Sequence, residues 1–245
     1  MLTGTGAIEE FLAHSATLDD FDTQAVTMHD AEILQATYEI RIDGRQAALP
    51  PGLHPTNPPT FVAQLWRCSE SPWGPFALAQ ARIGSRSGLR PRGFVQGCVC
   101  DNDAAADALR RGWGFPVQRG TVILRRHYDA TYASVTVGDQ VVCEITALDP
   151  DPLGPDDVSY STAANLAETP RGLRLVQVDV DFAIQRAERV KPRLLSFDGP
   201  RWGVHPSVVP YHPVSASTAL GEITIQRLRY VSKADELAFT STEVL

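Results

Sequence analysis

The sequence predicts a mainly β fold of the α+β kind: a strongly curved antiparallel sheet, closed or barrel-like, with few short helices. Three observations predict it. Short apolar runs, several of them alternating, recur at close spacing between Pro, Gly and Ser clusters. Only two short segments have helical character, and 43% hydrophobic residues among 245 are enough to fill a core. Many short strands with little helix imply a large antiparallel sheet that curls or closes.

Taken in order, Ala7 to His14 reads as a short helix, and from Tyr38 the pattern turns to strands. Thr60–Arg67, Phe76–Ile83 and Gly93–Cys100 are apolar runs bounded by turn residues, and are expected to be neighbours. Ala104 to Arg111 is Ala-rich, with Asp103 as N-cap and Gly112 as stop, so a two-turn helix is expected there. Thr121–Arg126 is a strand. Tyr132–Val137 and Gln140–Ile145, joined across Gly138-Asp139, form a hairpin. Leu173–Phe182 alternates most strongly of all, and Glu222–Tyr230 repeats the pattern.

The length suits one domain over residues 1–245, and no repeat, low-complexity tract or composition shift marks a linker. The Pro-rich piece Leu49–Pro59 is too short to be more than a rigid loop. No apolar run approaches the roughly 20 residues of a membrane-spanning helix, and the first residues lack a basic stretch followed by a long apolar block. A cytoplasmic protein is the expectation. A net charge of −7 and a pI near 5.3 argue against nucleic acid as partner.

The four cysteines are expected as free thiols, since Cys98 and Cys100 share one strand face and cannot easily bridge. With no second Cys pair and no finger-like spacing of His54, His205 and His212, neither a metal nor another cofactor is expected. Of 22 basic residues only Lys191 and Lys233 are lysines, so Schiff-base chemistry has two candidate side-chain amines.

Several ordered blocks carry a resemblance. They are Leu49-Pro-Pro-Gly-Leu53, Trp73-Gly-Pro-Phe76, Asp101-Asn-Asp103 with Arg110 and Trp113-Gly-Phe-Pro116, then Pro192–Phe197 and Pro213–Ser217. In this order they are similar to the acetoacetate decarboxylase-like family. The resemblance implies that family's curved β fold, a homo-oligomer and an enclosed apolar cavity. In the family a lysine pair follows the Trp-Gly-Phe-Pro block, the first forming a Schiff base with a β-keto acid and the second lowering its pKa. Here those positions hold Val117 and Gln118, and the catalytic glutamate falls on Leu78. The family's N-terminal arginine has no counterpart near Ala31. Imine-driven decarboxylation at this site is therefore excluded, because neither side chain supplies a nucleophilic amine.

Two readings remain. One is a cofactor-independent enzyme, a cyclase, dehydratase, lyase or isomerase, acting on a small β-dicarbonyl or polyketide-like intermediate. Relatives that perform aldol, dehydration and cyclisation steps in natural-product pathways make it plausible, and positioning alone can be worth about 7–11 kcal/mol. The other is a non-catalytic small-molecule-binding protein of the same fold. Charged groups converging on the cavity would favour the enzyme.

The candidate catalytic residues are Gln118, His205 and Gln80. Gln118 either donates to a substrate carbonyl or is a solvent-facing amide. His205 either supplies an acid/base group or belongs to a surface loop. Gln80 shares a strand face with Leu78 and either meets substrate or is satisfied by backbone. Substrate-binding candidates are Leu78, Val99, Phe115 and Val117 as apolar walls, Trp202 as a shaping residue, and Arg82. That arginine opens a run with Arg86, Arg90 and Arg92 in a Gly/Ser-rich loop, which either grips an acidic carrier protein, a phosphate or a carboxylate, or is merely solvated. Arg110 is expected to tie its helix to the sheet or a neighbouring subunit.

Overall fold

The computed structural model describes residues 2–235 and 241–245. In chain order the strands are β1 (Ala16–Thr17), β2 (Val26–Glu39), β3 (His54–Pro55), β4 (Thr60–Glu70), β5 (Phe76–Ser87), β6 (Arg90–Cys100), β7 (Val117–Arg119) and β8 (Thr121–Arg126). They continue with β9 (Ala130–Val137), β10 (Gln140–Leu153), β11 (Thr162–Thr169), β12 (Gly172–Val178), β13 (Val180–Phe197), β14 (His212–Ile225), β15 (Tyr230–Ser232) and β16 (Glu243–Val244). The helices are α1 (Ile8–Leu12), α2 (Ile42–Ala47), α3 (Asp103–Trp113) and α4 (Gly199–Trp202).

All these strands belong to one sheet, ordered β16-β15-β12-β11-β6-β5-β4-β2-β14-β13-β10-β9-β8, with β1, β3 and β7 attached beside it. The expected trio β4, β5 and β6 is antiparallel as predicted, but the sheet as a whole is mixed. Both β7 and β11 run parallel to β6. The ladder also does not close, so the expectation of a closed barrel is corrected to a curled, open sheet. Its end strand β8 lies against β4, β5 and β6 without extending their ladder.

The curl buries both faces. On one, Phe61, Ala63, Leu65, Ala79, Ala81 and Val99 meet Leu124, Val135, Cys143 and Ile145 from the folded-over end. On the other, Trp66, Leu78 and Cys98 pack with Leu109, Trp113, Phe115 and Val117 around α3, and with Val176 and Val178 of β12. All four cysteines are free and buried.

Three local differences from the sequence pattern have physical causes. The strand expected over Leu173–Phe182 is two strands. It breaks at Asp179, where the chain leaves β11's side of the sheet for the ladder between β10 and β14. β2 was not expected before Tyr38 because its alternation is interrupted: the register against β14 slips between Ala31 and Met28, and Asp30 takes a positive φ of 48°. The long helix α3 is capped one residue earlier and stopped two residues later than predicted. Asn102 Oδ1 accepts from Ala105 N at 3.0 Å, and Gly114 supplies the left-handed stop at φ 69°.

Candidate active site

Strand β6 shapes the site because its outer edge is shared by two parallel strands that do not meet. Arg92–Phe94 pairs with β11 and Cys98–Cys100 pairs with β7, leaving residues 95–97 without a strand on that side among the described residues. On the other side, Ala81 faces Gly97 and Arg82 faces Val95, so Gln96 is an extra, bulged residue. A bulge re-aims its side chain out of the regular alternation. Gln96 is locked at both ends: its Nε2 donates to Ala48 O at 2.9 Å and its Oε1 accepts from His205 N at 3.2 Å.

Over this gap lies a cleft of about 370 Å³. Phe94, Val95 and Gln96 line it from β6; Glu10, Phe11 and His14 come from α1 and the turn after it; and Gly203, Val204 and His205 follow α4. The N-terminal segment is strapped down by Gly4 N to Leu53 O at 2.9 Å and Gly6 N to Leu49 O at 3.0 Å. Phe11 then meets Phe94 edge-on, with centroids 5.6 Å apart. Opposite, α4 begins at Asp198, whose Oδ1 accepts from Arg201 N at 3.2 Å. The Trp202 carbonyl sits so close over Gly97 that a Cβ there would be 1.9 Å from it. Only glycine allows the two backbones to approach this closely.

A narrower recess of about 100 Å³ continues the cleft, sharing His14, Gln96 and Pro116 and adding Arg110, Gln118 and Trp202. The expected site residues therefore divide. His205 and Gln118 stand at the two ends of this joined space, with Gln96 and His14 between them. Gln118 Nε2 donates to Arg201 O at 3.3 Å. Trp202 shapes the recess, but its ring is fully buried against Phe61 and Phe197.

Of the remaining candidates only Val117 borders this joined space. Leu78 and Phe115 are packed into the core on the α3 side of the sheet, Val117 belongs to that core but also borders the recess, and Val99 lies on the opposite face, so the four do not form one wall. Gln80 and Arg82 do share Leu78's face, and both are fully buried. Gln80 Oε1 accepts two bonds from Arg82, at 3.0 and 2.6 Å, while its Nε2 has no partner among the described residues. Desolvation brings the Arg82 guanidinium down to about 10.

The predicted Arg-rich loop is a hairpin between β5 and β6, and two of its arginines turn inward. Arg92 is buried and donates to Asp179 at 2.6 Å and to Gln177 at 3.1 Å. Arg110 donates to Val117 O, tying α3 to β7 as expected, and also borders the recess.

The motif residues Asp101 and Asn102 are structural clamps. Asp101 Oδ1 accepts from Ala77 N at 2.7 Å, and Asn102 Nδ2 donates to the carbonyls of Trp73 and Pro75 at 3.3 and 3.1 Å. Both hold the Trp73–Phe76 turn against the start of α3.

Sequence reasoning missed Glu10, His14 and Gln96. Glu10 and His14 sit in the N-terminal helical segment, which carries no recognisable motif. Gln96 did have a signal: it is the one amide in the middle of the Gly93–Cys100 run.

The fold and site now stand beside known proteins. The family model for acetoacetate decarboxylase matches residues 15–181, and the chain belongs to that family. No curated protein sequence matches it. Among solved structures, the acetoacetate decarboxylase of Legionella pneumophila subsp. pneumophila superposes with a TM-score of 0.75 at 18% identity, over 86% of this chain and 88% of that one. The enduracididine biosynthesis enzyme MppR, in its complex with pyruvate, gives 0.68 at 19% identity, over 84% and 90% of the two chains. MppR is also known in complex with the condensation product of pyruvate and imidazole 4-carboxaldehyde, at 17% identity with a TM-score of 0.66 over 84% and 89% of the chains.

Proposed function

We propose that this chain is a cofactor-independent enzyme of the cyclase, dehydratase, lyase or isomerase type. Its substrate is a small β-dicarbonyl or polyketide-like compound of a natural-product pathway, held in the cleft between α1 and the segment after α4. One observation carries the reading. The two positions of the family's lysine pair are a core valine and an amide, while ionisable groups converge instead on the cleft from Glu10, His14 and His205. Chemistry in such a site proceeds by holding the substrate and moving protons, not through an imine. Pyruvate and one of its condensation products bound to MppR support carbonyl chemistry on this fold.

Lys191 supports the same reading by its position. It is exposed and bridged to Asp149 at 3.0 Å, and it borders neither the cleft nor the recess. The test is incubation with β-keto acids and β-diketones, with and without borohydride, followed by intact-protein mass measurement and product analysis. The expected result is altered product without a reduced adduct. An adduct on Lys191 or Lys233 would overturn the non-covalent mechanism. Binding in the cleft with no product from any compound would make the chain a binding protein, a role its apolar Phe11, Phe94, Val95 and Val204 walls also suit.

A further inference from the structure

His205 lies between two partners, and together they determine which of its ring nitrogens carries a proton. Its Nδ1 is 3.2 Å from the backbone N of Ser207 and 2.6 Å from Ser207 Oγ. A backbone N–H can only donate, so Nδ1 offers its lone pair in the neutral ring. Its Nε2 is 3.3 Å from Glu10 Oε2. With Nδ1 accepting from the Ser207 backbone, the neutral ring carries its hydrogen on Nε2, the nitrogen on the Glu10 side. Protonation of the ring leaves this unchanged. Nδ1–H would then donate to Ser207 Oγ, whose own hydrogen has the Gly44 carbonyl at 3.3 Å, and Nε2–H still faces Glu10.

The imidazole is therefore a hydrogen-bond donor toward the cleft in both states. Gln96 fixes its backbone from below, through the 3.2 Å bond to His205 N. The proton-accepting group that faces His205 directly is the Glu10 carboxylate, 55% exposed on α1.

We infer that Glu10 is the base of this site and His205 its electrophilic partner, and that the reaction they share begins with enolisation of a carbonyl compound. The inference rests on the cleft being the substrate site. In this step the Glu10 carboxylate takes a proton from the carbon next to the carbonyl. The C–H pair becomes the enol double bond, and the carbonyl π pair moves onto oxygen, where Nε2–H of His205 stabilises it. The proton on Glu10 is returned to carbon or exchanged with water, so the step needs no oxidant, reductant or second reactant. The oxygen and the neighbouring carbon are adjacent in the substrate, as donor and acceptor are adjacent in the wall. Ser207 is a positioning residue, because it acts only through the ring.

The experiment has two arms. In the first, long-range ¹H–¹⁵N spectra of histidine-labelled protein report the His205 tautomer, with an H205Q sample to assign the signal. The Nε2–H form is expected, and an Nδ1–H form overturns the inference. In the second, exchange of the methyl protons of pyruvate and the methylene protons of ethyl acetoacetate into D₂O is followed by NMR, with the buffer rate subtracted. Substituting Glu10→Gln should slow exchange by roughly 10²-fold or more, the usual weight of a positioned base. Substituting Glu10→Asp should recover part of it, and His205→Gln, which keeps an N–H donor, should lose less than Glu10→Gln. The reverse ranking would make His205 the base and overturn the assignment. Absence of exchange by the unaltered protein, with either compound still shifting resonances of His14 or His205, would overturn enolisation while leaving the cleft as the binding site.

Discussion

Arg82 turns its guanidinium back along β5 to Gln80, two residues earlier, and Gln80 Oε1 accepts from both Nε and Nη2. Nη1 donates to the Ser161 carbonyl at 2.9 Å. The cation is fully buried, and these three bonds run to neutral acceptors. Removing the acceptor while keeping the charge is the damaging change. Substituting Gln80→Leu should therefore cost about 3–5 kcal/mol, whereas Arg82→Met, which strands only neutral acceptors, the Gln80 amide and the Ser161 carbonyl, should cost roughly 1–3 kcal/mol. Urea unfolding of both variants checks the ranking; equal losses would mean that the charge is compensated in some other way.

Alkaline pH should destabilise the fold. Burial pushes the thiols of Cys100 and Cys68 up to about 11 and about 12 from an ordinary 9.0, and raises Cys98 as well. Burial likewise lifts the Tyr160 phenol from 10.0 to about 12. Between about pH 9 and 12 the unfolded chain has already released protons that the folded chain retains, so stability falls as pH rises. Arg82 has the opposite sign above about 10, but it is one group against several. Urea midpoints should hold steady to about pH 8.5 and then decline, with thiol reagents labelling the cysteines only after unfolding. Rapid labelling of the native protein at neutral pH would contradict this account.

Gly97→Ala should weaken both the fold and the site. The added methyl meets the Trp202 carbonyl, which is backbone and cannot rotate away. Overpacking of this kind typically costs about 1–3 kcal/mol and moves the backbone. Here the backbone that moves carries Gly203 and Val204, so ligand affinity in the cleft should fall along with Tm. A loss of Tm with unaltered affinity would show that the two walls are not coupled.

His205→Ala and Gln118→Ala should each lower turnover while leaving the thermal transition within a few degrees. Among the described residues the Gln118 side chain makes only the 3.3 Å bond to Arg201 O, and His205 lines the cleft. Unchanged rates in both variants would remove the site.

The strands were legible where apolar residues alternate without interruption. β8 was predicted with its observed limits, and the Gly138-Asp139 hairpin was found because its turn residues are diagnostic. β2 was hidden by its bulge, and the Asp179 corner lay inside an unbroken alternating run, so the break could not be seen. The site was harder to read because face assignments depend on register. Leu78 and Val99 looked like partners in one wall, yet the pairing Leu78↔Cys100 puts Val99 on the other side of the sheet. His205 and Gln118, which border the cleft and the recess, are candidates through their places beside family motifs. Glu10 is not one from sequence, since only the folded chain brings it to His205.

The placement of β2 beside β14 bears on how the molecule is made. The hydroxyls of Thr27 and Thr224 are 2.9 Å apart across 197 positions of sequence. During synthesis, β4 can reach β2 early, but the other flank of β2 must wait until the chain has passed residue 225. Until then a 14-residue strand offers an unmatched row of N–H and C=O groups to any neighbour. Maturation of this protein should accordingly be slow and sensitive to crowding by its own nascent copies, and the arrival of β14, more than the formation of any single hairpin, should set its pace.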